Sequence, residues 1–187
     1  MLVAGEQIHI VYQAILVGIL GGFLNLIFST VLLWKVAPRA PLLGWSAAVF
    51  VVAMVRFLLG RAYQRIRPDP EDAAPWGRRL RWVTLVSGAV WGAGFLMLPT
   101  GFGSVNTTLY FICLMGVIWG SVLVYGAVPG LYRAFVLPIY LPMILWALVP
   151  LEVSGFLAAT VFFLIVSRYT SSGSAAIALQ IRATPGV

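Results

Sequence analysis

The chain has 187 residues, 61% of them hydrophobic and only 9% charged, with a mean hydropathy of +1.01; a soluble domain carries roughly a quarter charged residues. This excludes an ordinary water-soluble domain and implies an integral membrane protein. Eleven of the twelve basic residues behind the net charge of +7 are arginines, and most flank apolar runs, which suits anionic lipid headgroups rather than nucleic acid.

In chain order, MLVAGEQIHI lacks the positive segment and small-residue cleavage site of a secretory signal, so the first apolar run is a retained span, Ile10 to Trp34. VAPRAPLLG leads into a second, Leu42 to Arg61. This one holds Arg56, the only ionisable residue well inside a span and about 7.5 Å from its end at 1.5 Å per residue. Arg56 is expected to snorkel, with an ion pair to Glu6 or a clamp on an anionic headgroup or signal as alternatives. QRIRPDPEDAAPWGRRLR, Gln64 to Arg81, reads as a solvated loop at the headgroups. The remaining spans are Trp82 to Pro99, Leu109 to Val128, Leu131 to Val149 and Val153 to Tyr169. Their runs lack the alternation of barrel strands, so the fold class is all-α, a bundle of six transmembrane helices. In the fifth span Pro138 and Pro142 predict a kink around Tyr140.

Orientation follows from the basic residues near the span ends. With the N-terminus cytoplasmic, Arg61, Arg65, Arg67, Arg78, Arg79, Arg81, Arg133, Arg168 and Arg182 fall on one side and Lys35 and Arg39 on the other. Both termini are therefore expected in the cytoplasm.

Glycine pairs four apart (Gly18 with Gly22, Gly88 with Gly92, Gly116 with Gly120, Gly126 with Gly130) predict close helix contacts in lipid. Trp34, Trp45, Trp76, Trp82, Tyr132 and Tyr169 stand where interfacial aromatic belts belong. Trp91, Trp119 and Tyr140 fall near mid-span instead, and their donors need partners when buried; Ser87, Ser121, Thr160 and Asn25 are candidates. Interhelical packing bonds account for such residues. A pocket of apolar surface with a few convergent polar tips is the functional reading, and its candidate ligand-binding residues are Trp91, Trp119, Tyr140, Ser121, Ser87, Tyr125 and Arg56.

A metal or cofactor site is not expected, because the chain has one cysteine, Cys113, and one histidine, His9, too few for a zinc or haem site of usual spacing. The spans hold no carboxylate pair, no Ser with His and Asp, and no acid to relay protons. The segment is accordingly not read as an enzyme, and a small transporter is disfavoured.

RRLRWVTLVSGAVWGAGFLMLP, then GVIWGSVLVYGAVPGLYRAFVLPIYLPMILW, then a last span running into an A-L-x-I-R segment, resemble the six-helix N-terminal sensor regions of bacterial membrane-bound diguanylate cyclases and hybrid histidine kinases, over roughly residues 50 to 182. The resemblance implies a bacterial inner-membrane sensor domain over 1–172, and over 173–187 the start of a signalling helix. It further implies a cytoplasmic output domain beyond Val187, in cyclic di-GMP or two-component signalling, and a homodimer. The function expected is detection of a small lipophilic signal within the bundle, passed on through the last helix. A structural anchor that only dimerises its output domain is the alternative.

Overall fold

The computed structural model describes residues 2–69, 72–98, 105–126 and 128–148. Five α-helices make up this part: α1 (Leu2–Leu33), α2 (Arg39–Ile66), α3 (Ala74–Ala93), which tightens into a 3₁₀ turn at Gly94–Met97, α4 (Val105–Tyr125) and α5 (Pro129–Leu148). No strand occurs among the described residues. The segments Gln7–Leu33, Arg39–Ile66, Ala74–Met97 and Val105–Tyr125 are long and apolar enough to cross a membrane, and α5 adds a shorter apolar stretch, Gly130–Leu145. Five of the six expected spans thus correspond to helices; the sixth, Val153 to Tyr169, and the tail after it lie outside the described residues.

The helices pack in a closed order, α1 on α2, α2 on α3, α3 on α5, α5 on α4, and α4 back on α1. Outward faces carry large apolar side chains, among them Leu16, Leu20, Leu24, Ile27 and Val31 along α1, at spacings that keep one stripe of a helix turned away from its neighbours. Such a surface is stable against lipid and not against water.

The segment read as a long solvated loop is mostly helix. Gln64 to Ile66 extend α2, whose end is closed by Arg67 in the left-handed region (φ 44°) with its N–H on the Tyr63 carbonyl at 2.8 Å. α3 begins at Ala74, with a proline in its first turn, where the missing N–H has no intrahelical partner to lose. Trp76 and Leu80 are buried while Arg78, Arg79 and Arg81 stay exposed, so this turn is amphipathic rather than irregular. Tyr12 stacks on Tyr63 with ring centroids 3.8 Å apart, and the edge of Trp76 meets Tyr63 at 5.5 Å. The Tyr12 hydroxyl donates to the Trp76 carbonyl at 3.2 Å. This aromatic knot ties α1, α2 and α3 together at one end.

Two aromatics expected in an interfacial belt beside Trp76 are also inside. Tyr132 is buried, and Trp45 is buried with its indole donating to the Val90 carbonyl at 2.7 Å and its ring edge-on to Trp91 at 5.7 Å. The Tyr110 hydroxyl donates to the Trp91 carbonyl at 3.2 Å, joining α4 to this second cluster of rings. Trp34 and Trp82 are exposed, as a belt requires.

Of the four glycine pairs, only one brings two helix backbones together. A methyl on Gly88 would collide with the Phe135 carbonyl, and one on Gly92 would stand 2.7 Å from the Pro138 carbonyl oxygen and 2.9 Å from the Ile139 Cα. Around Gly21, Gly22, Gly120 and Gly130 nothing lies within 4 Å of where a Cβ would be. α5 runs as a helix through Pro138 and Pro142. Pro142 has no N–H for the Pro138 carbonyl, and that carbonyl is the one facing Gly92.

Alanine at Gly88 or Gly92 should therefore force α3 from α5 and destabilise the bundle by about 1–3 kcal/mol, the usual cost of overpacking. Alanine at Gly21 or Gly120 should stay within about 0.5 kcal/mol of the parent. Unfolding midpoints of the four variants in detergent check the contrast; equal effects at all four positions would refute it.

Candidate functional site

The open space beside the glycines of α1 and α4 is a cavity of about 230 Å³ that receives side chains or backbone from all five helices. α1 contributes Gly18, Gly21, Gly22 and Asn25, and α4 contributes Gly116, Gly120, Ser121 and Tyr125. Arg56 enters from α2, Trp91 from α3 and Phe135 from α5. The glycine faces provide the room, and the polar tips come from Arg56, Tyr125, Asn25 and Ser121.

Arg56 is placed by the extended α2. It lies ten residues before Ile66, about 15 Å along the axis, rather than the shorter distance expected for a helix ending at Arg61. Its side chain does not run out to the headgroups. It is 7% exposed, with the guanidinium carbon 5.4 Å from the centre of the Tyr125 ring, a cation–π geometry. Gly18 lies beside it: a methyl there would be in ordinary contact with Arg56 Nη2 at 3.5 Å, but would crowd Val124 Cγ2 at 2.8 Å. Arg56 Nε and the Tyr125 hydroxyl are both buried and find no hydrogen-bond partner among the described residues. The Glu6 side chain lies outside the described residues. Its backbone, twelve residues before Gly18 on α1, is about 18 Å away along the axis.

Asn25 and Ser121 do not serve the tryptophan indoles as expected. Asn25 Nδ2 donates across the gap to the Cys113 carbonyl at 2.9 Å, linking α1 to α4, and Ser29 donates to Asn25 Oδ1 at 3.1 Å. Ser121 donates to the Ile118 carbonyl at 2.6 Å, within its own helix. Thr160 lies outside the described residues.

Of the seven residues expected to form a pocket, Arg56, Trp91, Ser121 and Tyr125 line the cavity. Ser87 lines a small adjoining void of about 20 Å³ together with Arg56 and Trp91. Trp119 does not join them: it is 51% exposed and points outward from α4. Tyr140 is buried on α5 but lines neither space. Gly88 and Gly92 bring α3 onto the backbone of α5 at Phe135, Pro138 and Ile139, whereas the cavity opens between α1 and α4. The glycines of α1 and α4 that frame it were read as contacts, because their spacing shows only that side chains are missing there.

Among the described residues no group of three or more His, Cys, Asp or Glu side chains is placed to hold a metal ion, and Cys113 is a buried free thiol. The chain is thus a helical membrane bundle with a central cavity that holds a buried cation. Comparisons with protein-family models, with curated proteins and with solved structures found no match.

The Asn25 bridge is the direct polar link between α1 and α4 beside the cavity. Asn25→Ala should lower stability in detergent by about 1 kcal/mol, the usual worth of an interhelical hydrogen bond in lipid. Leu24→Ala, on the outward face of α1 and 72% exposed, should change it by less than about 0.5 kcal/mol. Paired thermal or denaturant unfolding curves of the two variants read the difference, and a greater loss from the Leu24 change would contradict the role given to the Asn25 bridge.

Proposed function

We propose that this bundle is a membrane-embedded sensory input module that binds a small lipophilic signal in the cavity among α1, α2 and α4. The observation that carries this reading is the combination of open space with buried polar tips, Arg56 and Tyr125, on otherwise apolar walls. Small-molecule sites have this make-up. Binding would alter the separation of α1 and α4, and the change would pass through the last span to a cytoplasmic output domain, in a homodimer of the kind the sequence resemblance implies. To move a two-state equilibrium from 1:99 to 99:1, the ligand must favour one state by about 5.5 kcal/mol.

The proposed site is a bacterial inner membrane, crossed six times, with both termini in the cytoplasm. The arginine asymmetry supports the orientation. Arg61, Arg65, Arg67, Arg78, Arg79, Arg81 and Arg133 are exposed toward the end where α2 finishes and α3 and α5 begin, while Lys35 and Arg39 lie at the opposite end. Anionic lipids on the cytoplasmic face would meet that arginine belt.

Because Cys113 is buried, cysteines introduced at exposed ends can report the topology. Asp72→Cys should react with a membrane-impermeant maleimide only after the cells are opened, and Lys35→Cys in intact cells; the reverse pattern would overturn the orientation. For the ligand, the purified protein and its Trp91→Ala and Tyr125→Phe variants are extracted and searched by mass spectrometry for co-purifying small molecules. A specific compound present in the parent and depleted in the variants is expected. If parent and variants carry the same lipids and nothing else, the sensory reading fails.

A further inference from the structure

The five carboxylates of the sequence are Glu6, Asp69, Glu71, Asp72 and Glu152. None sits at the level of Arg56 on the described helices. Glu6 is about 18 Å away along α1, and Asp69 follows the end of α2, itself about 15 Å from Arg56. The chain reaches Glu152 only after α5 ends at Leu148, which is about 20 Å along the axis from Phe135. Arginine cannot shed its proton in a protein, and a buried charge without a partner is strongly unfavourable, more so within a membrane. Arg56 therefore calls for a negative charge from outside the described helices.

The cavity indicates what kind of molecule would bring it. At about 30 Å³ per water, a space of about 230 Å³ takes a compact head and a few carbons, and not a whole phospholipid. Its rim is formed by Val17, 67% exposed, and Leu123, 83% exposed, which face outward where lipid would be. Gly21, Gly22 and Gly120 leave the path between that rim and Arg56 without side chains.

Resting on the ligand site proposed above, we infer that its ligand is a single-chain amphiphile with a carboxylate head. The carboxylate pairs with the Arg56 guanidinium and accepts from the Tyr125 hydroxyl, and the tail leaves between α1 and α4 into the bilayer. A planar carboxylate matches the guanidinium fork, which can donate two parallel hydrogen bonds. The hydroxyl, buried and without a partner among the described residues, supplies a further donor. Such a ligand arrives laterally from the membrane and needs no aqueous entrance.

The test measures binding of dodecanoate, dodecanol and acetate to the full chain in nanodiscs, by tryptophan fluorescence and by displacement. Dodecanoate should bind, and dodecanol should bind at least about tenfold more weakly, as expected for loss of one charge-assisted hydrogen-bonded pair. Acetate should neither bind measurably nor displace dodecanoate. Arg56→Gln should abolish the preference for acid over alcohol, and Arg56→Lys should retain part of it. Where Arg56→Gln fails to fold, Gly21→Leu and Gly120→Leu serve instead. They block the tail path while leaving Arg56 in place, and should weaken dodecanoate.

Equal binding of acid and alcohol to the parent would overturn the carboxylate assignment while leaving a lipophilic site intact. Acetate binding as tightly as dodecanoate would show a free-anion site and overturn the amphiphile. Failure of both acid and alcohol to bind would overturn the ligand site itself, and this inference with it.

Discussion

The contact of α3 with α5 through Gly88 and Gly92 sets the shape of everything around it. In lipid no hydrophobic force drives helices together, so close backbone approach supplies the packing energy that apolar burial supplies in water. Two glycines one turn apart remove the side chains that would hold the helices apart, and the Phe135 and Pro138 carbonyls occupy the vacated positions. The second carbonyl is available because Pro142 has no N–H to offer it. Pro138 thus belongs to this interface, and Tyr140 is buried without lining the cavity. α3 and α5 are clamped, and the rings of Tyr12, Tyr63 and Trp76 fix α1 and α2 to α3, while the glycines of α1 and α4 leave a gap between those two helices.

At that remaining interface glycines have the opposite effect. Gly21, Gly22 and Gly120 meet no neighbour, and Asn25 reaches across to the Cys113 carbonyl to join the two helices. One residue type therefore makes the close backbone contact of α3 with α5 and the open gap beside α1 and α4. The difference lies in what comes opposite: backbone carbonyls in the first case, and in the second the open space that Arg56 also lines. A bulkier residue at Gly18 would crowd Val124 of α4 while leaving Arg56 in ordinary contact.

Much of the architecture was legible in the sequence because it depends on composition and length. Helical membrane character, four helices long and apolar enough to cross and a shorter fifth could be read from apolar runs alone, although the ends of the second and third moved by five residues or more. There hydropathy registered the charge of QRIRPDPEDAAPWGRRLR and missed that Trp76 and Leu80 fall four apart, on one face of a helix. Depth along a span can also be read, and it put Trp91 and Trp119 near mid-membrane. Rotation about the helix axis cannot be read that way. It depends on which neighbour each helix meets, and it turns Trp91 inward against Trp45 and Trp119 outward. The same ignorance of rotation made the glycine pairs ambiguous, since a spacing of four says that side chains are absent and nothing about what fills their place.

Arg56 is where local and global evidence meet. Its sequence position marked it as unusual, and snorkelling was the ordinary way for such a residue to avoid its desolvation cost. The longer α2 and the inward turn of the side chain remove that escape, and the Tyr125 ring offsets only part of the cost, since a cation–π contact is worth about 2 kcal/mol when desolvated. A bundle that served only as an anchor would gain stability from a leucine in this place, because well-packed apolar groups commonly do better than buried charges. An arginine kept beside empty space, with a tyrosine hydroxyl that has no partner among the described residues, is an arrangement whose stability improves when something enters. On the proposed reading this conditional stability is the sensing device. The clamped pair α3 and α5 gives a fixed frame, and a ligand that neutralises Arg56 acts at the gap between α1 and α4, where Gly21, Gly22 and Gly120 meet no neighbour.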